Sequence, residues 1–279
     1  MLTFILALAC GEKPDDTHDS TPPIDSADSD PQDSDPQGNP CEPEDVTVDK
    51  TGIHGNVTTT SGDPVACMRT QFCNNTCAVG TSNGSGEYSI GTNENGLGAL
   101  EFFPLSDDYA DFFVTAIPYE TESGADYNVD IVLQQSAGWQ DMPATSTEVD
   151  MGDGLTLTLG ADLVELPFGT DENTVGAKAV PEAEWPPLIG LDHGGTVVAI
   201  YYLSPFDAHA GGDGLDFWIS NSAIQETKVY TVYEFQVDTT EFIYEWANLG
   251  TSTAEGGVGG KLHYLSMLVV VEEPVEEEK

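Results

Sequence analysis

The segment Leu155-Thr-Leu-Thr-Leu159 alternates apolar and polar residues at every position. Because successive side chains of a β-strand point to opposite faces, this alternation predicts a strand with one buried face. Thr196-Val-Val-Ala-Ile-Tyr-Tyr-Leu203 and Leu262–Val271 are more continuously apolar, which is typical of central strands. No capped amphipathic helix is predicted anywhere in the chain, so the sequence indicates an all-β fold.

Short Thr-, Val-, Ile-, Phe- and Tyr-rich runs separated by Gly, Asn, Asp and Pro extend this pattern from Val46 onward. Such spacing predicts β-sandwiches, and we expect two of them in tandem, over residues 46–135 and 148–272. The predicted strands of the first domain are Thr51–Thr59, Val65–Phe72, Thr76–Thr81, Glu87–Ile90, Ala99–Phe103, Asp111–Pro118 and Tyr127–Gln134. The further predicted strands of the second are Leu215–Ser220, Lys228–Val237 and Phe242–Ala247, with turns at Gly194–Gly195 and Gly256–Gly260.

Residues 11–45 differ sharply in composition from the rest of the chain. They contain 12 acidic residues, 7 prolines and one large aliphatic residue, Ile24. Such a segment cannot bury enough apolar surface to offset the entropy lost on ordering, so it is predicted to be a disordered linker or stalk. Residues 273–279 are predicted to form an acidic tail.

The first ten residues, MLTFILALAC, are apolar and end in a cysteine. They are too short to span a bilayer but suit an export signal. Ala7-Leu8-Ala9-Cys10 resembles the lipobox of bacterial lipoproteins, whose cysteine becomes the acylated first residue of the mature chain. The resemblance implies lipidation at Cys10, a membrane anchored through this lipid, and a place in the cell envelope facing outside the cytoplasm, at the outer membrane. A plain secretory signal is the alternative.

Four cysteines remain besides Cys10, namely Cys41, Cys67, Cys73 and Cys77. An even number of cysteines in an exported protein favours two disulfides, with three connectivities open. The alternative is a zinc site of Cys67, Cys73, Cys77 and His54. The C-x5-C-x3-C spacing lacks the C-x2-C pair of common zinc knuckles, so disulfides are the prediction.

Residues 46–134 carry a distinctive turn pattern. Ile53-x-Gly55-x-Val57 precedes Ser61-Gly62-Asp63-Pro64-Val65, and Gly86-x-Tyr88-x-Ile90 and a closing strand, Val129–Leu133, follow. The pattern resembles the carboxypeptidase regulatory-like (transthyretin-related) sandwich common in bacterial surface proteins. That resemblance implies an accessory module without peptidase activity of its own.

Two local motifs raise other functions. Gly80-Thr81-Ser82-Asn83-Gly84 matches the nucleophile elbow G-x-S-x-G, but a strand follows where that elbow needs a helix. No catalytic residue is therefore predicted, and a hydrolase using Ser82 is only an alternative. The segment 211–219 fits one calcium-binding nonapeptide, which requires stacked copies to share each ion. Calcium thus stays a weak alternative with Asp213 and Asp216 as ligands, and no other cofactor is predicted. Asp207, Asp213 and Asp216 lie near His209 in the sequence, the one place where acid–base chemistry or a metal site is arguable.

Charge restricts the partners. The chain has 49 Asp and Glu against 7 Lys and Arg, a formal net charge of −42, which excludes electrostatic binding of nucleic acid or of anionic lipid. The sequence predicts a non-enzymatic cell-surface lipoprotein that presents β-sandwich modules for binding or for envelope structure. Its partner is an unidentified protein or glycan. Calcium- or carbohydrate-dependent adhesion is the alternative, with Trp139, Trp185 and Trp218 as candidate sugar-stacking residues. Core packing explains Trp218 equally well, since it lies within a predicted strand.

Overall fold

A computed structural model describes residues 50–104, 112–136, 139–165, 174–238 and 240–274. Within these ranges the chain forms 21 β-strands and a single 3₁₀ turn, Glu182–Glu184, so the all-β prediction is confirmed. No helix in the described ranges is long and apolar enough to cross a bilayer. The predicted signal segment, stalk and most of the acidic tail lie outside the described residues.

The strands alternate with short turns along the whole described chain. Those of the first half are β1 (Thr51–Thr59), β2 (Met68–Cys73), β3 (Cys77–Thr81), β4 (Glu87–Thr92), β5 (Gly96–Pro104), β6 (Thr115–Thr121), β7 (Asp126–Asn128) and β8 (Ile131–Leu133). Those of the second half are β9 (Gln140–Asp141), β10 (Thr147–Gly152), β11 (Leu155–Leu159), β12 (Val164–Glu165), β13 (Thr174–Ala179), β14 (Thr196–Ser204), β15 (Ala208–Ala210), β16 (Leu215–Ile219), β17 (Val229–Asp238), β18 (Ile243–Thr253), β19 (Val258–Leu262), β20 (Tyr264–Leu265) and β21 (Met267–Glu272).

The first half is a sandwich of two sheets. One has the order β4-β1-β7, with β8 also pairing with β1, and the other has the order β3-β2-β5-β6. Ile53 and Ile90 from the first sheet pack with Phe72 and Phe102 from the second in one buried cluster. Their inward positions follow the two-residue period of the strands.

The second half is built around a six-stranded sheet of order β18-β17-β21-β14-β13-β9. A four-stranded sheet, β10-β11-β16-β19, covers one of its faces, and a small sheet, β12-β15-β20, lies beside them. The core between the larger sheets includes Leu157 and Phe217 on one side and Tyr201 and Val270 on the other. Leu155–Leu159 has the buried face that its alternation predicts.

A third apolar cluster joins the two halves. Met267, Val269 and Val271 on β21 pack in a cluster that also holds Cys73 and Ala99 of the first half, whereas the intervening residues of β21 belong to the core of the second half. The central strands β14 and β21 of the six-stranded sheet are therefore buried on both faces. This explains why β14 and β21 are apolar at nearly every position, as the central-strand prediction requires.

Two predicted strands are interrupted. Tyr127–Gln134 divides into β7 and β8, and both pieces pair in parallel with β1. Between them, the Val129 carbonyl would lie only 2.0 Å from a Cβ at Gly55, so the chain can approach β1 there only because residue 55 is glycine. Leu262–Val271 divides into the end of β19, β20 and β21. At that break the buried Glu234 carboxylate accepts hydrogen bonds from the backbone N–H groups of His263 and Tyr264.

Candidate functional site

An exposed tryptophan occupies the outer face of β16. The burial of this strand alternates, with Leu215, Phe217 and Ile219 inward and Asp216 and Trp218 outward. Trp218 is 43% exposed, although it stands in the middle of a four-stranded sheet. Its outward direction follows from the strand period, since the residues on either side of it fill the core.

The indole of Trp218 lies across glycines of the neighbouring strand and of the turn before it. Trp218 pairs with Gly259 of β19. A Cβ at Gly259 would lie 2.7 Å from Trp218 Cε3, and one at Gly257 would lie 2.6 Å from Trp218 Nε1. The ring therefore lies across positions where any other residue would displace it. Of the predicted turn Gly256–Gly260, the first two residues do bend, whereas β19 begins at Val258 and Gly259 within it leaves room for the indole.

Polar side chains surround this surface. Asp216 and Lys261 form an ion pair, with Asp216 Oδ1 2.8 Å from Lys261 Nζ. Together with Ser252, Thr253 and Glu255 they line a groove of about 450 Å³ that also contains Trp218. We call this groove, with Trp218 at its floor, the Trp218 platform. It offers a broad apolar surface within reach of hydroxyl, carboxylate and ammonium groups, the combination that small-molecule sites use for affinity and orientation.

The other two predicted sugar-stacking tryptophans have different roles. The Trp139 ring packs against Phe113, with ring centroids 5.3 Å apart, and it occupies the space above Gly176. The Trp185 indole N–H donates to the Val180 carbonyl at 2.9 Å. Both side chains are engaged within the fold, which leaves Trp218 as the exposed platform among the three.

A second polar cluster lies where β15 begins and β17 ends. His209 Nε2 lies 3.6 Å from Asp207 Oδ1 and 3.5 Å from Asp238 Oδ2. Asp207 has φ of +63°, a conformation uncommon for a residue other than glycine. Asp238 also accepts hydrogen bonds through Oδ1 from the backbone N–H groups of Thr240 and Glu241. Its other oxygen is thereby held toward the imidazole.

Two further buried polar residues, Glu101 and Tyr244, interact electrostatically with this cluster. Glu101 of β5 is fully buried, and the Gln71 amide donates to its carboxyl group. The pKa of Glu101 is raised to about 8, chiefly by burial and also by nearby Asp207, against the opposing effects of Gln71 and Arg69. Burial also raises the pKa of Tyr244, followed by the charges of Glu101, Asp207 and Asp238. The hydroxyl of Tyr244 therefore lies within the field of both aspartates.

The predicted cysteine chemistry is seen in part. Cys73 and Cys77 form a disulfide across the β2–β3 hairpin, where they pair directly, and Cys67 is also disulfide-bonded. These sulfurs are thus oxidised and do not supply the thiolates of the alternative zinc site. Cys10 and Cys41 lie outside the described residues.

The remaining predicted site residues are separated from one another. Asp216 is held by Lys261, Asp213 is exposed on the preceding turn, and neither belongs to the Asp207, His209 and Asp238 group. Ser82 is fully buried. Its hydroxyl donates to the Val65 carbonyl at 2.7 Å and accepts from the Met68 N–H at 2.9 Å, so it fastens the chain before β2.

Sequence reasoning missed Asp238. Asp207 and His209 are close in sequence, whereas Asp238 comes from a different strand. No local spacing of residues predicts that Asp238 lies beside them. The only available signal was its position at the end of a strongly apolar run, Lys228–Val237, where a carboxylate can cap the following turn.

Comparison with known proteins adds little. No protein-family model matches the chain, and no curated protein matches it. Among solved structures, a similar chain is a protein from Bacteroides uniformis ATCC 8492 described as a "putative carbohydrate binding protein". The two are 9% identical, the comparison covers 80% of this chain and 79% of that one, and the TM-score is 0.26. A likeness at that score carries no argument about this chain.

Proposed function

We propose that this chain is a non-enzymatic binding protein of the cell surface and that its Trp218 platform recognises a glycan. The observation that carries the proposal is the exposed indole lying flat over two glycines, Gly257 and Gly259. Removing an exposed aromatic ring from water is favourable, so a planar apolar partner gains free energy by covering it. A pyranose ring presents such an apolar face and has hydroxyls at its edge for the groove's polar groups.

The chain's charge narrows the class of glycan. With a formal net charge of −42, the surface repels polyanions over the screening length of the medium. Lys261 is the only basic residue that lines the groove within the described chain, and it is already paired with Asp216. Neutral oligosaccharides therefore suit the Trp218 platform better than uronic-acid or sulfated ones.

The proposal includes the cell-surface setting. A lipid at Cys10 would hold the chain at the outer membrane, and the acidic, proline-rich residues 11–45 would separate the folded part from the bilayer. We further propose that residues 46–135 are a carboxypeptidase regulatory-like domain and residues 148–272 a second domain. The Tyr88 hydroxyl, which donates to the Val129 carbonyl at 2.7 Å inside the first sandwich, supports the first assignment.

The direct test is binding of neutral oligosaccharides to the folded chain, screened on a glycan array and then measured by isothermal titration calorimetry. Trp218→Ala should weaken binding by at least about 5-fold, since stacking of an aromatic ring contributes about 1 kcal/mol or more and a tenfold change corresponds to about 1.4 kcal/mol. Phe242→Ala is the matched control, because Phe242 is 48% exposed and does not line the groove. It should bind as the wild type does.

A third variant tests whether binding depends on the position of the indole over Gly259. Gly259→Val places a side chain where Trp218 now lies, so it should weaken glycan binding without removing the indole. Equal affinity of the wild type, Trp218→Ala and Gly259→Val would contradict the proposal, as would a complete failure to bind neutral glycans.

A further inference from the structure

We propose that Asp207, His209 and Asp238 form a binding site for a divalent transition-metal ion of the zinc class, separate from the Trp218 platform. Within the described chain these three residues are the group of His, Cys, Asp and Glu side chains that converge closely enough to hold an ion, and their ligand atoms all lie within 4.8 Å of one another. They come from β15, the turn before it, and the end of β17.

The spacing of the donors fits a small ion. The donor atoms of a tetrahedral zinc site lie about 2.0–2.2 Å from the metal and therefore about 3.4 Å from one another. His209 Nε2 is 3.6 Å from Asp207 Oδ1 and 3.5 Å from Asp238 Oδ2, close to that spacing. The two carboxylate oxygens lie within 4.8 Å of each other, so an ion would draw them together. Three protein donors leave a fourth position for water or for a ligand atom.

A buried and unpaired hydroxyl supports the site independently. Tyr244 is 8% exposed, and its hydroxyl has no hydrogen-bond partner within the described residues. Tyr244 pairs with Val237, next to Asp238, and its hydroxyl is influenced by the charges of Glu101, Asp207 and Asp238, in that order. A buried hydroxyl without a hydrogen-bond partner destabilises the folded state. A water or other ligand on the open position of a metal ion would satisfy it.

The donor types select the ion. Calcium takes about six to eight oxygen ligands, whereas this cluster offers one imidazole nitrogen and two carboxylates. Imidazole suits zinc, iron, nickel and copper, and zinc accepts carboxylate oxygens beside it. The outer shell suits such an ion as well, because two backbone N–H groups fix the Asp238 carboxylate through its other oxygen.

The test is calorimetric titration of Zn²⁺ into the full folded chain after treatment with EDTA and dialysis. The wild type should bind one ion and melt at a higher temperature with zinc than without it. Asp238→Asn keeps the oxygen that accepts from Thr240 and Glu241 but removes the ligand oxygen, and His209→Asn removes the imidazole. Each should weaken zinc binding more than about 100-fold, because loss of an outer partner alone costs about 10- to 100-fold.

The matched control is His54→Asn. His54 Nδ1 lies 3.2 Å from Asp126 Oδ1 in an exposed histidine–aspartate pair, and this variant should bind zinc as the wild type does. X-ray absorption spectroscopy at the zinc edge needs no variant. For the zinc-loaded wild type it should show nitrogen and oxygen ligands and no sulfur. The proposal is overturned if the wild type binds no zinc, if Asp238→Asn and His209→Asn bind it unchanged, or if the metal carries sulfur ligands.

Discussion

Replacing Glu101 by glutamine tests the buried polar contact between the two halves. Glu101 is fully buried and accepts a hydrogen bond from the Gln71 amide. Its charge would also interact with Asp207 and with the hydroxyl of Tyr244. Its pKa rises from 4.5 to about 8 in the folded chain, chiefly because burial disfavours the charged form. The folded state therefore binds a proton that the unfolded state has released over this range of pH.

The sign of the effect follows from this pKa. Stability from the neutral carboxyl group is present in full below about pH 4.5 and is lost as the pH rises toward about 8, where the folded chain must hold a buried charge. A rise of 3.5 from 4.5 to about 8 corresponds to about 5 kcal/mol at 1.36 kcal/mol per pH unit. Glu101→Gln has nearly the same shape and cannot ionise, so it escapes this loss.

The assay is urea unfolding of the wild type and Glu101→Gln at a series of pH values from about 5 to about 9, with EDTA present so that no bound cation contributes. The difference in unfolding free energy should favour Glu101→Gln increasingly as the pH rises, by up to about 5 kcal/mol. The other carboxylates titrate in both proteins and cancel in this difference. A difference that is independent of pH, or one that favours the wild type more at high pH, would refute the reasoning.

Two further predictions concern stability. Tyr88→Phe should lower the unfolding free energy by about 1–3 kcal/mol in urea unfolding, because it leaves the buried Val129 carbonyl without the donor it now has at 2.7 Å; a loss below about 0.5 kcal/mol would contradict this. Raising NaCl from about 0.01 M to about 1 M should raise the melting temperature, because it shortens the screening length from about 30 Å to about 3 Å in a chain with a net charge of −42. An unchanged or lower melting temperature would show that repulsion among the acidic residues does not limit stability.

The sequence predicted the sheets better than the way in which they pack. Alternation at Leu155–Leu159 and continuous apolarity at β14 and β21 are local signals, and the structure reproduces both. The contact between the halves depends on residues far apart in sequence. Ala99 and Met267 meet in one cluster, and nothing in the neighbourhood of either residue specifies the other.

The sites show the same limit. The direction of the Trp218 side chain could be predicted from the strand period. Its exposure could not, because the exposure of the indole also depends on which side chains the neighbouring strands place beside it. Exposure depends on Gly257 and Gly259, whose missing side chains are meaningful only once β16 and β19 are paired. Asp238 meets His209 through a side-chain contact between strands that are not paired with each other, which sequence spacing did not reveal.

The most direct test of the Trp218 platform is an NMR titration of the indole N–H resonances with a neutral oligosaccharide found on the array. The Trp185 and Trp246 indoles donate to the carbonyls of Val180 and Ile189, so their signals should stay in place. The signal assigned to Trp218 through Trp218→Phe should shift and saturate with the ligand. Binding that leaves this signal unmoved while another indole shifts would contradict the account.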